Sequence, residues 1–149
     1  MNYFAYGSNM DQDQMRERCP NSILIRKAVL KNYKLDFLEY SPRWQGGCAD
    51  VIPDNKSEVW GLLYEVSKSD IQELDKFEGN PDFYRRYTMQ VELDGIETEA
   101  EVYTLVTKKS FIKPTLRYFN IITDTARQYG FPSNYQNRLK QFSVKDKSS

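Results

Sequence analysis

A glutamate at the end of one expected helix and a glycine at the end of one expected strand are the places where this chain could do chemistry. Glu78 follows Phe77 and precedes Gly79. The last turn of a helix carries partial negative charge, so a carboxylate there is disfavoured electrostatically. Shielding by Phe77, Phe83 or Tyr84 would raise its pKa further, towards the range of a general acid/base. Tyr6-Gly7-Ser8-Asn9 joins a strand to a helix start, where free amides and the positive end of a helix dipole can converge on an anion or a developing oxyanion. The third resource is a supply of 11 tyrosines, able to line a small polar pocket with hydroxyls on rigid rings. Composition alone does not choose among Tyr84, Tyr103 and Tyr118. Histidine is absent, which removes the usual base of a nucleophile triad and the commonest ligand of catalytic zinc. Acid/base work therefore falls to carboxylates, tyrosines or lysines. Taken singly, each feature also has a plain structural reading: an exposed helix-end glutamate before a glycine, a strand-to-helix turn, and half-buried strand tyrosines.

The elements that must position these residues follow from pattern. Residues 2–6 form a short aromatic strand that ends at Gly7-Ser8-Asn9. Asp11 or Asn9 can cap a short helix running through Arg18, which Pro20-Asn21 stops. Residues 23–40 read as one or two strands, with Tyr33, Leu35 and Phe37 alternating. Residues 41–47, SPRWQGG, suit a shaped loop, and strand character resumes over 48–52 and again over 58–66. Ser67 and Asp70 match a capping box, which predicts a helix over 68–78 with Ile71, Leu74 and Phe77 on one face. Asp94-Gly95 predicts a two-residue hairpin turn between strands over 84–93 and 96–106. Pro114 is expected in the first turn of a helix carrying Leu116, Phe119, Ile122 and Ala126 and ending near Gly130, with Pro132 starting a last short helix. Interspersed helices and antiparallel signals predict an α+β class: a mixed, curled or closed β-barrel with peripheral helices.

Composition excludes several classes. The chain has 149 residues, 40% of them apolar, with 21 basic residues balancing 21 acidic ones. That describes one domain, expected over residues 1–142, with a polar tail over 143–149 that frays from about Lys140. A domain of this size buries roughly two-thirds of its unfolded surface and needs no metal or disulfide for support. Cys19 and Cys48 show no zinc or redox spacing and read as reduced, partly buried thiols. No run approaches the roughly 18 apolar residues that span a bilayer, and no export signal opens the chain, so membrane association is not expected and a cytoplasmic location is. Balanced charge without a dense basic run argues against a nucleic-acid partner. Neutral charge leaves a homodimer open.

Taken together, several segments make a set: YFAYGSN at 3–9, WQGGCA at 44–49, EVWGLLYEV at 58–66, LDKFEG at 74–79 and the tyrosine at 84. In this order they resemble the γ-glutamylcyclotransferase family, with the match running from about residue 2 to residue 142. The resemblance implies a compact mixed β-barrel with a pocket at its mouth, an enzyme that releases 5-oxoproline from γ-glutamyl amines, and no cofactor or metal. Carried over by position, it makes Glu78 the acid/base, and the segment Tyr3, Phe4, Ala5, Tyr6, Gly7, Ser8 and Asn9 the strand end and loop that hold the glutamyl group. Tyr84 and Tyr118 fall where family tyrosines line the pocket. Met10 stands where the family commonly has Leu, an apolar swap of little consequence. The Ser8-Asn9-Met10 spelling fits neither the Thr-Leu-Lys loop typical of the γ-glutamylamine branch nor the glutathione-specific branch, which typically lacks the asparagine.

The implied chemistry suits the residues present, because the substrate carries its own nucleophile: its α-amine attacks its own γ-carbonyl. Holding that chain in a near-attack conformation can contribute roughly 7–11 kcal/mol. Glu78 would move the proton, and amides of residues 7–9 would hold either the substrate carboxylate or the oxyanion. Two other readings stay open: a pathway-dedicated relative that removes a γ-glutamyl protecting group from a larger amine such as an aminoglycoside side chain, and a non-catalytic domain that binds a small metabolite.

Overall fold

Two long strands dominate the molecule. In the computed structural model, which describes residues 1–145, β2 (Ile23–Ser41) and β3 (Gly46–Glu65) form an antiparallel hairpin. The expected pair of strands over 48–52 and 58–66 is thus one element, continuous because β3 changes register against β2 between Lys31 and Tyr33 instead of breaking. The expected loop over 41–47 is correspondingly shorter. The Gln45 amide bonds back to the Ser41 carbonyl at 2.7 Å, and Gly46 and Gly47 already belong to β3. A Cβ on Gly47 would stand 1.9 Å from the Ile112 carbonyl oxygen, so glycine there lets the 106–113 segment lie against the strand.

β1 (Asn2–Ala5) inserts beside β3. It can do so because Gly61 has no side chain: a Cβ there would lie 2.3 Å from the Ala5 carbonyl oxygen and 2.8 Å from the Phe4 ring. β4 (Tyr84–Leu93) and β5 (Ile96–Leu105) form the expected hairpin. Asp94 and Gly95 both have positive φ, 52° and 79°, as a two-residue turn requires. The five strands close in the order β1-β3-β2-β4-β5, through a parallel contact of Tyr3 with Glu101 and a narrow antiparallel seam at Val29 and Glu92. This is the closed barrel with outer helices.

α1 (Gln12–Arg18) is capped by Asp11, whose carboxylate accepts from the Asp13 amide, so of the two caps foreseen the structure uses Asp11. α2 (Lys68–Glu78) has the predicted bounds: Ser67 and Asp70 exchange both capping-box bonds, and Gly79 ends the helix at φ 69°. Its Ile71 and Leu74 are buried, but Phe77 is 51% exposed. α3 (Leu116–Gln128) begins after Thr115, not at Pro114. The Pro114 carbonyl instead accepts from the Lys145 amide. Phe119, Ile122 and Ala126 enter the core, while Leu116 is 40% exposed. α4 (Ser133–Leu139) follows Pro132.

The tail expected to fray from Lys140 is docked as far as it is described. The Phe142 ring packs edge-on against Phe37, 5.0 Å between centroids, and Lys145 bridges to Thr115. An aromatic residue that finishes a core cluster outweighs the polar composition around it. The remainder of the expected tail, 146–149, lies outside the described residues. Among the described residues no helix is long and apolar enough to cross a membrane.

Candidate active site

A pocket of about 270 Å³ opens at one end of the barrel. Its position follows from three chain segments that finish at the same place: β1 and the turn after it, the C-terminus of α2, and the 41–49 corner of the β2–β3 hairpin. Tyr3, Phe4, Tyr6, Gly7, Ser8, Asn9, Glu78, Tyr84 and Tyr118 all line it. Ala5 does not. It is buried in β1, with its carbonyl against Gly61.

Glu78 is delivered by the last residue of α2, and the left-handed Gly79 turns the chain away behind it. Its Oε1 accepts from Asn9 Nδ2 at 3.2 Å. Burial raises the carboxyl from 4.5 to about 7, against the pull of Arg18 and then Arg43. Phe77 contributes less shielding than its neighbourhood in sequence suggests, since its ring is turned out beneath the Arg18 guanidinium, 4.7 Å away. Phe83 and Tyr84 line the pocket beside the carboxylate.

Asn9 is the hub of the site. It is 2% exposed, and both ends of its amide are committed. Nδ2 donates to Tyr3 Oη at 2.8 Å as well as to Glu78. Oδ1 accepts from Gln14 Nε2 at 2.9 Å and from Arg18 at 3.1 Å. Its carbonyl accepts from the Tyr64 hydroxyl at 2.9 Å. Such an asparagine holds Glu78 and has no spare valence for a ligand. The backbone around it does: residues 8–10 form a single 3-10 turn, and among the described residues nothing accepts from the amides of Gly7, Ser8 or Asn9. A Cβ on Gly7 would come 3.3 Å from Tyr118 Oη, so glycine leaves this approach open.

Two tyrosines grip the opposite wall. Tyr84 Oη donates to the Ala49 carbonyl at 2.6 Å, and the Ala49 amide donates to Tyr118 Oη at 2.8 Å. As an acceptor there, Tyr118 keeps its own proton for another partner, and Tyr3 does the same under Asn9. Burial pushes Tyr3, Tyr6, Tyr84 and Tyr118 well above their ordinary range, so all four stay protonated donors. Tyr6 spends its hydroxyl on the Tyr103 carbonyl at 2.6 Å. Cys48 also lines the pocket, but burial pushes its thiol up to about 12, too high for a nucleophile at neutral pH.

Sequence reasoning did not single out Arg18, Gln14 or Arg43. Arg18 lies on the same helical face as Gln14, four residues on, a spacing that could have marked the pair as pointing one way. Nothing in the spacing of Arg43 distinguishes it. What these groups share with the predicted ones is the setting: one proton-carrying carboxyl, unspent backbone amides, and neutral hydroxyls around a space fit for a small molecule. That combination can move a proton and hold an anion without a nucleophile of its own.

Comparisons with known proteins identify the relatives of the chain and of its fold. The chain is 34% identical to a gamma-glutamylcyclotransferase of Mus musculus, over 93% of its own length and 76% of the relative's. It is 33% identical to the gamma-glutamylcyclotransferase of Homo sapiens, over 97% of this chain and 79% of that protein. A solved structure of a gamma-glutamyl cyclotransferase superposes with a TM-score of 0.92 at 30% identity, covering 100% of this chain and 91% of the other. The sequence model of one family spans residues 3–118, and on that match the chain belongs to the gamma-glutamyl cyclotransferase, AIG2-like family.

Proposed function

We propose that the pocket folds a γ-glutamyl amine or γ-glutamyl amino acid back on itself, with Glu78 as the only proton carrier. The observation that carries this is a buried carboxyl, held by Asn9 and raised by burial to about 7, in the same pocket as the unspent amides of Gly7 to Asn9. The substrate class comes from the relatives, which are named gamma-glutamylcyclotransferases.

In the reaction the Glu78 carboxylate accepts a proton from the substrate's α-ammonium. The freed amine attacks the γ-carbonyl carbon, forming the C–N bond of a five-membered ring and placing negative charge on the carbonyl oxygen. Protonated Glu78 then gives its proton to the departing nitrogen as the old C–N bond breaks. The ring nitrogen then loses its extra proton, through the Glu78 carboxylate, to the released amine, so the products are 5-oxoproline and the amine in its ammonium form, and Glu78 is again a carboxylate. A group with a pKa near the working pH is competent in both directions, which an ordinary exposed glutamate is not. The amides of Gly7, Ser8 and Asn9 and the free proton of Tyr118 hold the substrate's anionic oxygens. One donor of this kind contributes about 3–4 kcal/mol when charge develops on its acceptor. The pocket, at about 270 Å³, lies just below the roughly 300 Å³ at which drug-sized ligands begin to be enclosed. It encloses a glutamyl unit and leaves the leaving amine at the mouth.

We place the reaction in the cytoplasm, where the free, buried Cys19 and Cys48 would stay reduced. Whether the enzyme works as a monomer or a homodimer is read by sedimentation. The decisive test is release of 5-oxoproline from γ-glutamyl amino acids and γ-glutamyl amines by the native chain and by Glu78→Gln. The glutamine variant should bind substrate and show no turnover, because an amide cannot take the ammonium proton. Undiminished release by that variant would remove Glu78 from the mechanism, and saturable binding without release by the native chain would make this a binding domain.

A further inference from the structure

The mouth of the pocket has a charge imbalance that the proton-transfer machinery does not use. Three cations line the pocket, Arg18, Arg43 and Lys76, against one carboxylate, Glu78. Lys76 is paired with Glu73 at 3.3 Å. Arg18 is buried, donating to Asn9 and lying over Phe77. Arg43 is different: it is exposed on the 42–45 turn, and among the described residues no carboxylate lies within ion-pair distance of it. Its one side-chain hydrogen bond, to Gln14 Oε1, is long at 3.5 Å.

This arginine is nevertheless held in place. Its guanidinium sits 5.5 Å from the Trp44 ring, and Arg117 sits over the same indole at 4.7 Å. Arg117 also donates to the Arg43 carbonyl at 2.7 Å. Trp44 is fixed in turn, its carbonyl accepting from Thr115 Oγ1 at 2.9 Å and its amide donating to Ser41 Oγ at 3.2 Å. The indole leans on Tyr118, 5.1 Å between centroids, so the platform that carries Arg43 is continuous with the pocket wall. A guanidinium fixed in this way presents several free N–H donors in a planar fork suited to a carboxylate.

We propose that Arg43 is a specificity-determining residue that binds a carboxylate on the leaving group, so that the enzyme prefers γ-glutamyl amino acids to γ-glutamyl amines lacking that carboxylate. This rests on the reading in which the amides of Gly7 to Asn9 hold the glutamyl end, since only then does the leaving group reach the mouth. There Arg43 meets it, in partial contact with solvent. The contact is worth about tenfold in kcat/KM, near the lower limit for a charge-assisted hydrogen bond because solvent and salt screen it.

The test compares γ-glutamyl-alanine with γ-glutamyl-ethylamine, which differ only in the leaving-group carboxylate, using the native chain, Arg43→Gln and Arg43→Lys. Because Arg43 also acts on Glu78 electrostatically, the ratio of the two kcat/KM values is the readout, not either rate alone. The native ratio should favour the alanine substrate by about tenfold and shrink as salt rises. Arg43→Gln should bring the ratio close to one, with Arg43→Lys between. A native ratio near one overturns the proposal, and so does an Arg43→Gln variant that slows both substrates equally and keeps the ratio. If the native chain turns over neither substrate, the cyclotransferase reading fails and takes this one with it.

Discussion

Replacing Glu78 by glutamine should make the protein more stable, and only above a definite pH. In the unfolded chain the carboxyl ionises near 4.5, whereas burial in the folded protein raises it to about 7. Between those values the native state binds more protons than the unfolded state, so rising pH favours unfolding. The cost therefore begins as the pH passes 4.5 and is complete above about 7. At about 1.4 kcal/mol for each pKa unit, a rise from 4.5 to about 7 amounts to about 3 kcal/mol. That is a large fraction of the roughly 5–15 kcal/mol by which domains of this kind are stable. Glutamine has nearly the same shape, its carbonyl oxygen can keep the Asn9 bond, and it never ionises, so it escapes the cost. Urea unfolding of the two proteins should give coincident curves near pH 4 and a separation of about 3 kcal/mol by pH 8, a difference of roughly 6–12 °C in Tm. Equal stability at pH 8, or a less stable glutamine variant, would refute the reasoning. It would mean that Arg18 and Arg43 outweigh burial and that the carboxyl is an ordinary one, with no special fitness for carrying the proton.

Other outcomes follow from the same geometry. The pH profile of kcat/KM should rise with Glu78 ionisation, with its midpoint near pH 7 and activity lost on the acid side; a midpoint near that of a free carboxylate would count against a buried proton carrier. Asn9→Ala removes a donor from Glu78 and an acceptor from both Gln14 and Arg18. It should cost roughly 1–3 kcal/mol in urea unfolding and move the acidic limb of the profile to higher pH. Gly61→Ala puts a methyl group against the Ala5 carbonyl and the Phe4 ring. The expected loss is about 3 kcal/mol or more by thermal unfolding, accompanied by loss of 5-oxoproline release, because β1 leads directly into the Gly7–Asn9 turn.

Legibility in the sequence followed the range of the interactions. The capping box, the left-handed glycine after Glu78 and the Asp94-Gly95 turn are local, so α2 and the β4–β5 hairpin could be placed to within a residue or so. The single span of β3 could not, because the stretch at 54–57 looks like a loop in isolation and lies at a register shift, joined into one strand only by the pairs on either side of it, Pro53 with Tyr33 and Glu58 with Lys31. The docking of Phe142 was hidden for the same reason: its partners Phe37 and Phe119 come from distant elements. In the pocket, residues carried by a motif could be named, whereas Arg18 and Arg43 are brought there by a helix face and a turn whose orientation depends on tertiary packing. The direction of the Glu78 shift was readable from its place beside aromatic residues, and its source only in part: of the three shields foreseen, Phe83 and Tyr84 line the pocket with it, whereas Phe77 points outward.

The place of β1 in the barrel bears on the order in which the molecule can be completed. A strand of four residues, the first element of the chain, lies between β3 and β5, so one of its neighbours does not exist until residues near 101 have been made. The wall bearing Tyr118 comes later still. During synthesis the aromatic segment at 2–6 can pair with β3 once residues 62–65 exist, but its second neighbour and the Tyr103 carbonyl that takes the Tyr6 hydroxyl come only with β5. Barrel closure and assembly of the pocket then become one late event, with no earlier stage at which part of the site could work. A sheet closed by so distant a partner forms slowly for its size, and the site is whole only when that closure is made.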